Sequence, residues 1–592
     1  MKKYSNDKNA QLLLSLLKAH HISKVIASPG TKNIAIVGSM QHDEYFEMYS
    51  AVDERGACYM ACGLAAESGE PVAIVCTGAT ASRNYFPGLT EAYYRKLPIL
   101  VIAGSHGEEH IGHLHSQVID RTQSPKDTVR YSAFVNEIKD RKDELHNATI
   151  INKALIELRR HGGGPVLIDI VASARGFDTE TLPKVRAIKY YHNEASFPAP
   201  PLYPPEGGRG SIALFVGTHA RMSDELSQAI DQFCAIHDAV VFCDHTSGYV
   251  GKYKVNFALI CAQKDYKSKL LSPDLLIHIG EVSGDTYTTK ALTPQKVWRI
   301  SEDGELRDLF HALDSVFEVD ELTFFKHYAT GEEDRQSQCP SVLRRVTYLD
   351  RCKAEYQECL SAFPELEFGN IFVAKHLSSC LPANSIIHFG IFNSLRSWNF
   401  FELDASIHSS CNVGGFGIDG TLSTLIGASL ASPQKLHFLI VGDLAFFYDL
   451  NSLGNRHIGN NVRILLVNNG RGIEFRKKDH PGYQFGESAD LYIAAGGHFG
   501  NMSRTLVKSF SESLGFEYLT ASNKEEFEAT YARFVTEEQT DKPMLFEIFA
   551  EADSEVKNLD AVRHIKGSNI PMMEKITDTA KSGVKAILKK IK

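Results

Sequence analysis

Short apolar runs of strand length recur along the whole chain, separated by stretches long enough for helices. The first group is Lys24–Ala27, Met48–Val52, Pro71–Thr77, Pro98–Ala103 and Pro165–Ile170. Ile212–Val216, Val240–Cys243, Leu275–Ile279 and Val297–Ile300 follow, and Ile386–Phe389, Leu436–Val441, Val462–Val467 and Met544–Phe549 come last. Strands apolar on both faces need cover on both faces, and helix-length connections make neighbouring strands parallel. The pattern predicts an α/β chain of open, mainly parallel sheets.

Two interruptions divide it. Residues 197–208 hold five of the 21 prolines, which no helix or central strand tolerates, so they read as a stiff linker. Residues 330–340 are polar and charged and form a second boundary. The expected domains are 1–195, 209–330 and 341–560. A basic amphipathic helix is expected over 571–592, where Ile576, Ala580, Val584, Ile587 and Ile591 share one face among lysines. It suits docking on its own protein, or a weak contact with a membrane or partner. The outer domains share a loose pattern: the small-residue stretches after Gly63 and Gly427 each lead through a polar turn into a buried strand.

A charged fraction of 23% against 43% hydrophobic residues excludes disorder and a membrane bundle. A net charge of −9 argues against a nucleic-acid partner. The polar start Met1-Lys2-Lys3-Tyr4 lacks a signal-peptide pattern, and eleven cysteines without a CxxC pair read as reduced thiols. A cytoplasmic location is expected.

In open α/β sheets, ligands bind beyond the carboxyl ends of strands. There the chain places Gly442-Asp443-Leu444 after one run and Asn468-Asn469-Gly470 after the next. One βαβ unit thus brings a carboxylate and a carboxamide together, hard oxygen ligands suited to Mg²⁺ holding a diphosphate. Taken singly, each half reads more readily as a helix cap or an Asn-rich turn. A second strand ends at Asp53-Glu54-Arg55, ahead of a helix rich in small residues (Ala57, Ala61, Gly63, Ala65, Ala66) that lets another element approach closely, including one from another chain. Glu54 alone reads as a first-turn helix carboxylate.

Together these segments resemble the thiamine-diphosphate-dependent 2-oxo acid decarboxylase and carboligase superfamily, in particular its menaquinone-pathway synthases. The similarity runs through Ser28-Pro29-Gly30-Thr31-Lys32, Asp53-Glu54-Arg55, Thr80-Ala81 to Asn84-Tyr85-Phe86-Pro87, Phe416-Gly417-Ile418-Asp419-Gly420 and Gly442-Asp443-Leu444. It covers both outer domains but finds no clear match in the middle. The resemblance implies three α/β domains: pyrimidine-binding, central and diphosphate-binding. It also implies thiamine diphosphate and Mg²⁺ as cofactors, and a homodimer or dimer of dimers in which the glutamate and the metal loop meet across two chains. Asp443 and Asn469 would hold Mg²⁺ through their side chains and Arg471 through its carbonyl. Ile418 would be the apolar wedge under the cofactor, flanked by Gly417 and Asp419. Thr80, Asn84, Gly442 and Leu444 would complete the cofactor contacts. Glu54 would bond the pyrimidine ring and promote its imino tautomer, the catalytic role.

The chain departs from that pattern where substrate is held. The menaquinone enzymes handle two polyanions and use arginines, whose planar forks match carboxylates. Here Thr31-Lys32 replaces Ser-Arg, Gly104-Ser105-His106 replaces Asp-Arg-Pro and so brings in His106, and Asn412-Val413-Gly414 replaces Asn-Arg-Gly. Arg396 and Gln117 match pocket residues, and Phe392 replaces part of Asn-Ser. Glu474, beside Phe475, puts a carboxylate where an apolar residue is expected; it must pair with a cation or meet substrate, unless it is a solvated loop residue facing Arg476 and Lys477. His110, His113 and His115 follow His106 in a run that could bind metal but lacks carboxylate order. The expected activity is decarboxylation of a 2-oxo acid with transfer of the acyl carbanion to an acceptor. Alternatives are aldehyde release, the menaquinone synthase itself, and a non-catalytic cofactor-binding relative. A nucleotide-binding enzyme lacks support, since no GxxxxGK[ST] loop is present.

Overall fold

The computed structural model describes residues 3–173, 176–199, 211–329, 346–494, 496–498 and 502–566. The expected linker cores at 200–208 and 330–340 and the expected tail helix at 571–592 lie outside the described residues. The chain forms two compact units, Met1–His192 with Gly304–Phe317, and Asn193–Asp303 with Glu318–Lys592.

The first unit contains a six-stranded sheet of Lys24–Ala27 (β1), Glu47–Ser50 (β2), Val72–Thr77 (β3), Ile99–Ser105 (β4), Tyr131–Val135 (β5) and Val166–Val171 (β6), in the order β2-β1-β3-β4-β6-β5. All neighbours are parallel. Alternate residues of β4 show why its run is apolar throughout. Leu100 and Ile102 join a core with Leu13, Leu16 and Ile151, while Ile99 and Val101 join another with Ala57, Ala61 and Leu89. Each buried Leu, Ile or Val among them contributes about 1.5–3 kcal/mol. Lys189–Tyr191 (β7) lies beyond this sheet.

The second unit carries Ile212–Val216 (β8), Val240–Cys243 (β9), Lys254–Asn256 (β10), Leu275–Ile279 (β11) and Lys296–Ser301 (β12), running β10-β9-β8-β11-β12. Leu313–Glu318 (β13) returns to the first unit and pairs in parallel with β7. A further six-stranded sheet in the second unit is built from Ile386–Phe389 (β14), His408–Cys411 (β15), His437–Gly442 (β16), Val462–Asn468 (β17), Glu517–Ala521 (β18) and Met544–Phe549 (β19). Its order, β15-β14-β16-β17-β19-β18, repeats that of the first sheet strand for strand. The three-sheet α/β class expected from the apolar runs is the class observed.

The second strand differs in extent from the apolar run. β2 ends at Ser50, and Val52 is 83% exposed, because β2 is an edge strand with little to bury. Among the described residues, no helix is long and apolar enough to cross a membrane.

Candidate active site

In the second unit, β16 and β17 pair so that Gly442 lies opposite Val467. Asp443 and Asn469 therefore leave the same sheet edge one step apart. Gly470 follows with φ +74°, a left-handed turn that favours glycine, and its N–H donates to Asp443 Oδ2 at 2.6 Å. Leu444 N–H donates to Oδ1 at 2.8 Å. Asn468 turns the other way and donates to buried Glu547 at 2.8 Å, which leaves Asn469 to the site. The Arg471 side chain is drawn off to Asp490 at 3.1 Å.

These ends open on a cavity of about 480 Å³. Gly442, Asp443, Leu444, Asn469 and Arg471 line it, as do Ile418, Phe392, Glu474 and Phe475. Gly417 and Asp419 flank Ile418, and a side chain on Gly417 would meet Asp419 Oδ1 at 2.6 Å. Ile418 itself rests against the core of Leu422, Leu425 and Val441. Phe392, which lines the cavity, and Phe416 hold positive φ, +65° and +53°, with ring centroids 6.1 Å apart. Such strain persists only where surroundings over-determine it, and it concentrates at functional sites.

Asp443 is 5% exposed, and its described partners are backbone N–H groups. Burial pushes its carboxyl up to about 6 in spite of those bonds. A buried carboxylate that faces a cavity with no cation beside it among the described residues fits a divalent ion, and the Asn469 amide oxygen supplies a second hard ligand.

The sequence reading missed part of this wall. Asn370 and Asn393 also line the cavity. Buried Glu555, from the helix Ala552–Val562, accepts from Asn370 N–H at 2.8 Å and from the Asn393 amide at 3.4 Å. Asn370 Oδ1 is buried without a hydrogen-bond partner. Only their convergence from distant segments identifies them.

In the first unit, Asp53 caps the helix Glu54–Ser68 by accepting from the N–H groups of Arg55 and Gly56. Glu54 starts that helix, and its Oε2 accepts from Asn84 Nδ2 at 3.1 Å. Ala57, Ala61 and Ala65 are buried in their own unit's core. Within the unit the helix Phe86–Arg95 approaches it, since a side chain on Gly88 would strike Cys58 Sγ at 2.6 Å. Thr80 opens the short helix Thr80–Asn84 after Ala79, itself at φ +56°. Arg121, which the sequence reading missed, fixes this turn. It donates to Ser82 Oγ at 2.7 Å and Ser105 Oγ at 2.9 Å and pairs with Asp169, whose carboxyl burial pushes up to about 6 against that pairing.

His106 and Gln117 line a cavity of about 140 Å³ with Arg121. Lys32 Nζ lies 3.5 Å from His106 Nδ1, while Thr31 is exposed. Burial, then Lys32, His110 and His115, lower the His106 pKa. His110 and His115 sit with ring centroids 4.5 Å apart, yet no group of three His, Cys, Asp or Glu residues able to hold a metal occurs among the described residues.

Glu474 meets cations, as its position requires. Its Oε2 lies 2.6 Å from Arg396 Nη2, and it also pairs with Lys477. Burial would raise its carboxyl, but Arg396 and Lys477 hold it below the usual range. Val413, where an arginine was expected, is buried, and a side chain on Gly284 would meet its Cγ1 at 3.1 Å.

Residues 7–124, which carry Glu54, Thr80 and Asn84, match the family described as thiamine pyrophosphate enzyme, N-terminal TPP binding domain. The 2-succinyl-5-enolpyruvyl-6-hydroxy-3-cyclohexene-1-carboxylate synthase of Bacteroides thetaiotaomicron is 31% identical over 579 residues, 95% of this chain and 99% of the relative. The chain belongs to this family of thiamine diphosphate enzymes. The synthase of the same name from Bacteroides fragilis is 30% identical over 583 residues, again 95% and 99%. That of Christiangramia forsetii is 27% identical over 581 residues, 92% and 96%. As an enzyme of this family the protein uses thiamine diphosphate, and the similarity extends through the middle segment, where no motif was legible.

Proposed function

We propose that this enzyme decarboxylates a 2-oxo acid with thiamine diphosphate and Mg²⁺ and transfers the acyl unit to an acceptor, forming a C–C bond. The observation that carries the reading is Asp443, a buried carboxylate with no described cation beside it, next to Asn469 on a cavity floored by Ile418. Asp443 and Asn469 would hold the metal by side-chain oxygens and Arg471 by its backbone carbonyl. The cofactor, when bound, supplies the electron sink for the carbanion left by loss of CO₂. Asn84 engages one oxygen of Glu54 and orients the carboxylate, whose other oxygen would hold a proton at the pyrimidine ring nitrogen. Ile418 and Phe475 supply apolar wall and exclude water. The substrate-facing residues would be Thr31, Lys32, His106, Gln117, Phe392, Arg396 and Glu474.

Plain aldehyde release is the second reading. His106 favours it: with Nδ1 turned to the Lys32 ammonium, its Nε2–H is a proton donor in the stretch that replaces Asp-Arg-Pro. We also propose a homodimer, alone or paired as a dimer of dimers, and a cytoplasmic location, which the ten free thiols among the described residues support. The test is CO₂ release from a panel of 2-oxo acids, with and without aldehyde and enone acceptors. Acceptor-dependent product supports transfer, aldehyde supports the second reading, and no CO₂ from any acid contradicts both.

A further inference from the structure

Among the described residues, Glu474 is the one acidic side chain that both lines the 480 Å³ cavity and holds the cation Arg396. Arg396 and Lys477 are largely buried, with side chains 11% and 14% exposed, so Glu474 neutralises charges that water does not. Arg396 keeps one terminal nitrogen, Nη1, without a partner. The residue also lines a cavity of about 20 Å³ with Tyr287 and Asn399, room for one water and too small for a carboxylate. The carboxylate-sized place at Arg396 is therefore taken by Glu474. The neighbouring wall is apolar, formed by Ile391, Phe392, Ile418, Ile473 and Phe475.

We propose that Glu474 determines donor specificity: as an internal carboxylate at Arg396 and Lys477, it excludes a second carboxylate on the donor and selects 2-oxo acids with uncharged tails over 2-oxo diacids. This rests on the 2-oxo acid chemistry proposed above. A diacid must either displace Glu474, leaving it desolvated and unpaired, or bring its distal charge beside a like charge. An alkyl tail meets only the apolar wall. Arg396 and Lys477 then act as the scaffold for the selecting carboxylate.

Two measurements on the holoenzyme, loaded with thiamine diphosphate and Mg²⁺, test this. The first compares kcat/KM for CO₂ release from 2-oxopentanoate and 2-oxoglutarate. The second compares the binding of pentanoate and glutarate by calorimetry, which needs no turnover. The wild type should favour the monoacid at least tenfold in each. Glu474→Gln, which keeps the shape and removes the charge, should shift both ratios at least tenfold toward the diacid, through KM and affinity. Lys477→Gln, a second variant should the first misfold, should shift them the opposite way by weakening diacids further. A wild type that binds glutarate as tightly as pentanoate, or ratios unmoved in both variants, overturns the proposal. Absent CO₂ release with the binding ratio still shifting contradicts the proposed reaction and leaves the selectivity standing.

Discussion

Glu54 and Asn84 meet through one hydrogen bond of 3.1 Å, which leaves the second oxygen of Glu54 for a ligand. Glu54→Gln keeps the size and the bond to Asn84 but cannot hold a proton as a carboxylate does. The variant should bind thiamine diphosphate within about threefold of wild type, while kcat falls at least about a hundredfold, the lower range for positioned proton transfer. Calorimetry and steady-state kinetics check the two halves, and an unchanged kcat removes Glu54 from the mechanism. Glu54, Asp443, Asn469 and Ile418 could be singled out because together, at two strand ends and in a glycine loop, they match one family pattern, although none is distinctive alone. Asn370, Asn393 and Glu555 were not. In the sequence they are ordinary polar residues, and only packing of the helix Ala552–Val562 brings the carboxylate to the two asparagines. Arg121 was hidden likewise, because its partners Ser82, Ser105 and Asp169 lie on three separate elements.

At the scale of elements, Arg121 ties the helix Thr80–Asn84 to β4 and β6, and so sets where Asn84 presents its amide. Ser82 Oγ also donates to the carbonyl of Ala79 at 2.8 Å, clamping the left-handed turn. Arg121→Lys keeps the charge opposite Asp169 and loses the fork that reaches both serines. It should lower kcat about tenfold with KM for the 2-oxo acid nearly unchanged, and without loss of the folded circular dichroism signal. Equal damage to kcat and KM would point to a general structural role instead. Glu555 gives a pH dependence. Burial, despite the bonds from Asn370 and Asn393 and with Asp443 adding to the effect, pushes its carboxyl from 4.5 up to about 7. The folded state thus binds the proton more tightly than the unfolded chain, so this group's contribution to stability falls as pH rises from about 4.5 through 7. Glu555→Gln removes that loss. Its melting temperature relative to wild type should rise by a few degrees between pH 5 and pH 8, and a constant difference contradicts the assignment. For most strands of the two outer sheets, legibility followed burial. The apolar runs located central strands such as β4, β16 and β17, while the edge strands β5, β15 and β18, with exposed or half-buried positions, carry too little apolar signal to be read.

On the scale of the molecule, the two outer sheets share one strand order, which gives physical form to the loose similarity between the Gly63 and Gly427 stretches. Glu54 follows the second strand of one sheet, and Asp443 follows the third strand of the other. In the proposed homodimer each site would draw on two chains, so inactive Glu54→Gln and Asp443→Ala variants should complement. Mixed and allowed to exchange, they should regain up to about a quarter of wild-type activity through dimers that pair one intact half from each. A fully active monomer by light scattering contradicts this. The account depends most on Asp443 as a metal ligand that anchors the diphosphate. The direct measurement is calorimetric titration of the metal-stripped protein with thiamine diphosphate, in Mg²⁺ and then in EDTA, for wild type and Asp443→Ala. The account predicts binding by the wild type in Mg²⁺, at least about a hundredfold weaker affinity in EDTA, and equally weak binding by Asp443→Ala in both buffers. Equal affinity of the wild type with and without Mg²⁺, or an Asp443→Ala variant that binds like wild type, would contradict it.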